Sequence, residues 1–360
     1  MLVTACLIVK DEAEMLAKTL PNLVNLVDEI ILVDTGSSDN TIEIAKKIGA
    51  KVYGFKWIGD FSAARNESIK YAQGEWILWV DADEYIQEQD YKKLKQELTN
   101  SKEIGYQLKV TECREGELKP ISFNLRPKLF KNNMGIHFER PINEQPYTKD
   151  GKALISYSKP LDIPIFHWGC HLSKDKMEKK KYRNLELLKK AVENGGGDEA
   201  YHFLLGTNYK DLNQFSEAIK EFEVTEKISK SPAFVIAAKS EKAWALYLKQ
   251  EIKLAYLEAL EVVKLDPDNS QAWNIIGAIF LATGETQKAI EVLQKSSSLM
   301  PKKDAIIVNI RPKEYVANLF LSKAYLIAGK KKEALEAAEK VYRFDPTEEA
   351  QKAVNAAKSA

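Results

Sequence analysis

Three acidic residues that lie close together in the chain, Asp81, Asp83 and Glu84, are its strongest candidates for chemistry. They follow the apolar run WILWV, which predicts a buried strand ending at Asp81. Carboxylates at a strand end are able to hold a hard divalent cation, because Mg²⁺ and Mn²⁺ prefer oxygen ligands and share them with phosphate groups. A cation held there would neutralise the charge of a departing diphosphate. The Asp-x-Asp spacing alone is common in acidic loops, so its weight comes from its place after a strand.

The segments before these carboxylates alternate short apolar runs with amphipathic helical stretches. Strands are predicted at 2–9, 29–34, 51–55 and 75–81, and helices at 13–25, 39–48 and 62–73. We expect Asp39 to be the N-cap of the second helix and Gly74 to end the third. This alternation is typical of right-handed βαβ units in a mainly parallel sheet. Ligands bind beyond the carboxyl ends of such strands, where Asp34 and Asp81 both fall.

The rest of the chain changes character twice. From Tyr106 to Trp168, short β-prone runs are broken by Pro, Gly and Asn, which indicates antiparallel strands and loops. From Lys174 onward the pattern is helical, and its first stretch is strongly basic. We therefore predict a catalytic α/β domain at 1–172, a connecting helix at 173–197 and an all-α repeat domain at 198–360.

The predicted repeat domain contains units with recurring small and aromatic residues. Pro267 and Pro301 are 34 positions apart, the period of tetratricopeptide repeats. Pro301 and Pro346 are 45 apart, which predicts an insertion at Lys302–Pro312. The first unit is LLGTNYKDLNQFSEAIKEF, the third and fourth resemble it, and the second, around Ala255, is weak.

Composition excludes some classes of partner. The net charge is +1, from 53 Lys+Arg against 52 Asp+Glu, so nothing general favours nucleic acid or an anionic membrane. The N-terminus lacks the pattern of a signal peptide, and no apolar stretch approaches the length of a membrane span. Three cysteines, Cys6, Cys113 and Cys170, form no disulfide framework. We expect a cytoplasmic protein with no membrane span and no nucleic-acid partner.

Four ordered motifs together carry a resemblance to a known family. They are ACLIVKDEAEML, IILVDTGSSDNT, GDFSAARNESIKYAQGEWILWVDADE and LRPKLFKN. Over residues 1–169 the chain resembles glycosyltransferase family 2, in the branch that carries tetratricopeptide repeats and includes peptide S-glycosyltransferases that modify bacteriocins. The resemblance implies a GT-A (Rossmann-like) fold, a divalent cation such as Mn²⁺ or Mg²⁺, a UDP-sugar donor and inversion at the anomeric carbon.

The resemblance also implies roles for individual residues. Asp34 would accept a hydrogen bond from the uracil ring, Arg65 would lie near the diphosphate, and Asp81 would contact the ribose or the sugar. Asp83 would bind the metal, and His167, in the closing H-x-G element, would complete the metal or diphosphate site. The remaining expected substrate contacts are Leu7, Val9, Glu12, Asp60 and Ala82.

An inverting transfer needs a base that takes the proton of the acceptor. The family places a carboxylate after the sheet, and in HFERPINEQP we predict Glu144 as this base, with Glu139 second. Relatives often have His-Glu here, whereas this chain has Asn143-Glu144, so a role for a histidine at 143 is in doubt. Glu144 and Asp81 are thus the predicted catalytic residues.

Plainer interpretations stay open at this stage. Asp34 could only cap a turn, Arg65 could be a surface helix residue, and Glu144 could be a solvated loop carboxylate. His167 could be structural. Two further cations, Arg126 and Lys128, are expected to face solvent, and two tryptophans, Trp76 and Trp79, are expected to serve packing.

Two functions of different classes compete. The first is an inverting, metal-dependent glycosyltransferase that moves a hexose or N-acetylhexosamine from a UDP-sugar to a peptide, protein or glycan, with repeats that hold the acceptor or form a homo-oligomer. The second is a repeat scaffold that binds a protein partner and has lost catalysis. Such a scaffold would be expected to lose Asp81, Asp83 or Arg65, and all three are present.

Overall fold

The structure, a computed structural model, describes residues 1–114, 116–169, 174–299, 307–309 and 311–360. The chain divides into two compact units, Met1–Lys176 and Met177–Ala360, and each is described by itself. The predicted insertion at Lys302–Pro312 is described only at 307–309 and from Arg311, and Pro301 and Cys170 lie outside the described residues. No described helix is long and apolar enough to cross a membrane.

The N-terminal unit is an α/β domain built on a large sheet. Its helices are α1 (Ala13–Leu26), α2 (Thr41–Lys47), α3 (Phe61–Lys70) and α4 (Tyr91–Leu98). Its strands are β1 (Val3–Val9), β2 (Glu29–Asp34), β3 (Lys51–Gly54), β4 (Trp76–Trp79), β5 (Glu84–Tyr85), β6 (Gly105–Glu112), β7 (Ser122–Lys131), β8 (His137–Glu139), β9 (Gln145–Tyr147) and β10 (Lys159–His167).

Eight of these strands form the sheet in the order β3-β2-β1-β4-β7-β6-β10-β5. The first four run parallel, as predicted, since each pair is connected through a helix. The prediction for residues 106–168 is only partly right. β7 is antiparallel to β4 and β6, but β10 is parallel to β6. The small hairpin β8-β9 forms a separate sheet.

The core follows from the apolar strands. β1, β2 and β4 are almost wholly buried because both faces of the sheet are covered. Leu16 and Leu20 of α1 pack with Leu7 and Leu32 on one face of the sheet. On the other face, Ile31 and Trp79 belong to a second buried cluster.

Two helix boundaries differ from the prediction. α2 begins at Thr41, and Asp39 accepts the backbone N–H of Thr41 from just outside the helix rather than as its N-cap. α3 ends at Lys70, so Gly74 does not end it. Gly74 instead packs against β1, where a Cβ would lie 2.6 Å from the backbone nitrogen of Thr4. A close approach of two backbones, rather than a helix end, requires the glycine.

The helical unit consists of antiparallel helix pairs. Its helices are α5 (Lys174–Glu193), α6 (Glu199–Asp211), α7 (Phe215–Ile228), α8 (Pro232–Leu248), α9 (Ile252–Leu265), α10 (Ser270–Ala282), α11 (Thr286–Ser298), α12 (Asn318–Ile327), α13 (Lys331–Phe344) and α14 (Glu348–Ser359), with a short strand β11 (Ile307–Asn309) and a π-helical turn at Pro312–Ala317. Small residues allow the close pairing, since a Cβ on Gly277 would lie 2.5 Å from Leu293.

The second unit combines an apolar interior with a group of ion pairs. Ala243 and Leu246 of α8 and Ala255 of α9 belong to a buried apolar cluster. Lys239 and Lys242 of α8 also make ion pairs with Glu226 of α7 and Glu258 of α9.

Candidate active site

The sheet brings the ends of three strands to one edge. Val9 is in register with Asp34, so β1 and β2 end together. β4 lies on the other side of β1 and leads through Val80 to Asp81. Because these strands are parallel, their carboxyl ends form a single edge. Asp34 and the acidic turn after β4 therefore lie at the same edge, two strands apart.

Arg65 joins two carboxylates that are distant in sequence. Its Nη2 donates to Oδ1 of Asp81 at 2.5 Å, and its Nε donates to Oε1 of Glu144 at 2.6 Å. The side chain is 6% exposed, and the guanidinium lies 4.4 Å from the centre of the Trp79 ring. These contacts exclude the interpretation of Arg65 as a surface helix residue. They use Nε and Nη2 of the guanidinium, two of its three nitrogens.

The ion pairs determine the charge of this group. Burial opposes charge on Arg65, but Asp81 and Glu144 raise the pKa of its guanidinium above its usual range. Burial alone would raise the pKa of Asp81, whereas Arg65 and Lys128 hold it well below its usual range. Asp81 is therefore a carboxylate at any physiological pH.

The loop that carries Glu144 is fastened to α3. The side-chain amide of Asn66 donates to the carbonyl oxygen of Phe138 at 2.8 Å and accepts the N–H of Phe138 at 2.7 Å. The N–H of Phe61, the first residue of α3, donates to the carbonyl oxygen of Pro141. Asn143 has a φ of 55°, a conformation that asparagine tolerates better than most residues. Glu144 is 12% exposed, so it is not a freely solvated carboxylate.

Asp83 and His167 form a second pair beside the first. Nε2 of His167 lies 3.2 Å from Oδ2 of Asp83, and Nδ1 lies 2.7 Å from Oε2 of Glu112. Burial disfavours a charged imidazole, but the hydrogen bonds to Asp83 and Glu112 raise the pKa of His167 well above its usual range. A Cβ on Gly169 would collide with the Asp83 carboxylate, which explains the glycine of the H-x-G element.

Lys128 is fully buried, so the expectation that it faces solvent is wrong. Its Nζ lies 2.7 Å from Oε1 of Glu84 and 3.5 Å from Oδ2 of Asp81. It also lies 3.5 Å from the centre of the Trp79 ring, which Arg65 contacts as well. Trp79 therefore serves more than packing, because two cations lie over its ring. The other cation, Arg126, is half-buried and donates to Asn124.

The residues predicted to contact the nucleotide have hydrogen-bond partners within the protein or face its core. Asp34 accepts the N–H groups of Gly36 and Ser37, so it does cap its turn. Leu7 and Val9 face the core, and only their backbone would be available to a ligand. The N–H of Glu12 donates to the hydroxyl of Thr41.

Three further predicted positions have local partners. Asp60 is the N-cap of α3, where its carboxylate accepts the N–H of Ala63. Ala82 is buried, and its carbonyl oxygen accepts the hydroxyl of Thr19. Glu139, the second candidate base, pairs with His137 on the exposed hairpin β8-β9.

Sequence reasoning missed two members of the site. Glu112 lies at the end of β6 in a run that showed no motif, and only its pairing with β10 brings it to His167. Lys128 did lie in the motif LRPKLFKN, so a signal was present, but the sequence did not indicate its burial. Among the described residues, no group of three or more His, Cys, Asp or Glu is arranged as a complete metal site.

Two family models and several curated proteins are similar to this chain. Residues 4–175 match the family described as "Glycosyl transferase family 2", and residues 237–297 match the family described as "Tetratricopeptide repeat". A TPR repeat-containing protein of Synechococcus elongatus is 39% identical over 142 residues, which cover 39% of this chain and 34% of that protein. The SPbeta prophage-derived glycosyltransferase SunS of Bacillus subtilis is 25% identical over 219 residues, which cover 60% of this chain and 51% of SunS.

An uncharacterized glycosyltransferase of Rickettsia felis is 30% identical over 171 residues, which cover 45% of this chain and 56% of that protein. The chain thus spans between a third and just over half the length of these three relatives. The family match covers both clusters of site residues together with the sheet that positions them. Over its N-terminal unit the chain is therefore similar to glycosyl transferase family 2, and a stretch similar to tetratricopeptide repeats follows in its helical unit.

Proposed function

We propose that the protein is an inverting, metal-dependent glycosyltransferase that uses a UDP-sugar as donor. The observation that carries the proposal is the bridge of Arg65 between Asp81 and Glu144, next to the pair of Asp83 and His167. Asp81 is the predicted donor-site carboxylate and Glu144 is the predicted base. They are 63 positions apart in the sequence, and both contact the buried guanidinium of Arg65. A family 2 domain that had lost catalysis would have no need to keep these groups together.

Asp83 and His167 would hold a divalent cation in place of the proton that Asp83 and Glu112 stabilise on the imidazole, because a histidine ligand must be neutral. Mg²⁺ and Mn²⁺ are commonly held by one or two protein ligands, with substrate phosphates and water completing the shell. Glu112 accepts a hydrogen bond from Nδ1 of His167, and a contact of this kind directs Nε2 of a ligand histidine toward a metal. When bound, the cation supplies positive charge to the departing diphosphate.

The protein residues then have separate tasks. Asp81, ionised and directed by Arg65, contacts the ribose or the sugar of the donor. Asp34 at the end of β2 accepts from the uracil imide while it caps its own turn, since a carboxylate has enough lone pairs for both. Arg65 orients Asp81 and Glu144, and this replaces the direct diphosphate contact that the family resemblance suggested.

The transfer itself is a single displacement. The acceptor hydroxyl or thiol attacks the anomeric carbon from the face opposite the nucleotide. Its bond to the sugar forms as the bond between the anomeric carbon and the diphosphate oxygen breaks, and UDP leaves with the electron pair. Glu144 takes the acceptor proton. Because the attack comes from the face opposite the leaving group, the configuration of the anomeric carbon is inverted.

The acceptor is proposed to be a peptide, protein or glycan. Stacked helix pairs form concave surfaces that suit extended chains, which gives the repeats of the helical unit a role in holding the acceptor or in self-association. The second candidate function, an inactive scaffold, would use the same repeats to bind a protein partner.

A substitution of Asp83 tests the mechanism. We expect Asp83→Ala to abolish hydrolysis of UDP-sugars in a donor panel with Mn²⁺, because one of two metal ligands is lost, while the circular dichroism spectrum is unchanged. Asp162→Ala is a matched control, since the side chain of Asp162 is 93% exposed and pairs with Lys93 on the surface. Full activity of Asp83→Ala, or of the unaltered protein with EDTA, would overturn metal-dependent transfer. Absence of both hydrolysis and UDP binding in the unaltered protein would favour the scaffold.

A further inference from the structure

β7 is irregular at the point where it passes the site. It lies between β4 and β6, and β4 pairs only with its residues Leu129, Phe130 and Lys131. Tyr106 of β6 pairs with Leu129 of β7, and Leu108 of β6 pairs with Arg126 of β7. From the first pair to the second, β6 advances by two residues whereas β7 advances by three. One extra residue in β7 at Pro127–Lys128 makes this a β-bulge.

The bulge explains a proline in a central strand. Proline has no N–H to give to a neighbouring strand, and within sheets it is tolerated mainly at edges and bulges. The carbonyl oxygen of Pro127 is still used, because it accepts Nε1 of Trp79 at 2.8 Å in the core. Bulges near active sites commonly redirect a side chain, and here the residue after the proline is Lys128.

Lys128 contacts both ends of the acidic turn Asp81–Glu84. Nζ of Lys128 contacts both oxygens of Glu84, at 2.7 Å and 2.8 Å, and lies 3.5 Å from Asp81. Oε2 of Glu84 also accepts the backbone N–H of Asp81 at 3.0 Å. Lys128 and Asp81 thus both contact Glu84, and Lys128 also lies near Asp81. Asp83 belongs to the same turn, between Asp81 and Glu84.

We propose that Lys128 is a positioning residue of the transfer reaction, which holds the turn Asp81–Glu84 so that Asp81 faces the donor and Asp83 faces the metal. This inference rests on the glycosyltransferase function proposed above. Lys128 is 0% exposed, so it acts through the carboxylates and not on the substrate.

A purely stabilising role is a weaker explanation of the same contacts. Replacing a buried ion pair by neutral groups of similar size is often harmless to stability, whereas removing one partner is costly. The contacts of Lys128 converge on the turn that contains two predicted donor-site residues. Geometry, rather than stability, is therefore what the lysine contributes.

The experiment separates these roles with a double substitution. Lys128→Met alone leaves Glu84 buried without its cation, and we expect it to unfold at a lower temperature. Adding Glu84→Gln removes that charge and keeps an oxygen for the N–H of Asp81, so the double variant is expected to regain most of the lost melting temperature. Lys242→Met with Glu226→Gln is the matched control, because it also neutralises a buried lysine and its carboxylate, in the helical unit.

The readout is the binding of UDP in the presence of Mn²⁺, measured by calorimetry. We expect the double variant at 128 and 84 to bind UDP about ten- to a hundredfold more weakly, because the charge-assisted hydrogen bonds that hold the turn of Asp81 are lost. The control pair should bind UDP like the unaltered protein. Unchanged UDP affinity in the folded double variant would overturn the positioning role.

A crystal structure of the double variant tests the inference without any measurement of activity. We expect the Asp81 carboxylate to turn away from its present place, while an unchanged turn would overturn the inference. If the unaltered protein binds no UDP, the proposed function fails, and the position of Asp81 in the crystal structure of the variant still decides the role of Lys128.

Discussion

At the scale of single residues, carboxylates are given different environments by the cations around them. Asp81 contacts both Arg65 and Lys128 and is held ionised, whereas burial raises the pKa of Glu84 in spite of Lys128. Glu144 contacts Arg65 through one oxygen, and its side chain remains 12% exposed. A carboxylate that is held in place but still reachable is suited to take a proton from an acceptor.

The identity of the base is testable at this scale. We expect Glu144→Gln to lower kcat by about 10²- to 10⁴-fold with little change in donor KM, since a lost general base affects the chemical step. The measurement is steady-state transfer with a UDP-sugar and an acceptor found by screening. Glu139→Gln, on the exposed hairpin, should change kcat little. A larger loss in Glu139→Gln than in Glu144→Gln would reverse the assignment.

At the scale of elements, close backbone contacts and irregular strands determine where the side chains arrive. The bulge in β7 delivers Lys128, and two hydrogen bonds between Asn66 and the backbone of Phe138, one donated by each residue, hold β8 near α3. Gly74 lets the segment before β4 approach β1, and its N–H donates to the hydroxyl of Thr4. β4 then leads directly to the acidic turn.

Gly74→Ala tests the importance of that approach. The added Cβ would lie 2.6 Å from a backbone nitrogen, which cannot move as a side chain can. We expect a loss of about 1–3 kcal/mol in the free energy of unfolding of the N-terminal unit, as in other overpacked sites. Urea denaturation followed by tryptophan fluorescence measures it.

Gly54→Ala is the control, because a Cβ at Gly54 meets nothing within 4 Å on the edge strand β3. A substitution of this kind usually changes the free energy of unfolding by no more than about 0.5 kcal/mol. Equal effects of the two substitutions would show that the contact with β1 is unimportant.

At the scale of the whole molecule, the chain combines a unit similar to glycosyl transferase family 2 with a repeat unit, and its net charge is +1. General electrostatic attraction therefore contributes little to the choice of partner. Recognition of the proposed donor would therefore depend on local charged groups, and in the N-terminal unit both clusters of such groups lie around the turn after β4.

Ligand binding should be visible in the stability of the protein. A ligand that binds only the folded state raises the free energy of unfolding by about 2.7 kcal/mol at a hundred times its Kd. We therefore expect UDP with Mn²⁺ to raise the melting temperature measured by thermal shift, and UDP with EDTA to have a much smaller effect. ADP with Mn²⁺ is the matched control for the diphosphate. An equal shift with ADP would contradict recognition of uracil by Asp34.

Much of this protein was predictable from local pattern. The alternation of apolar runs with amphipathic segments predicted β1, β2 and α1 nearly to the residue, because buried parallel strands are continuously apolar and helices repeat every 3.6 residues. The four motifs predicted the family, and the 34-residue spacing predicted the repeats. The residues at strand ends were found because parallel strands end at one edge.

Only the tertiary structure decided which of these residues touch. Arg65 and Glu144 are 79 positions apart, and Glu112 reaches His167 only through the pairing of β6 with β10. Lys128 looked like a surface lysine because its sequence carries no sign of burial. A lysine in a core is stable only beside carboxylates that other strands supply, and which strands lie adjacent is a property of the folded sheet rather than of any local segment.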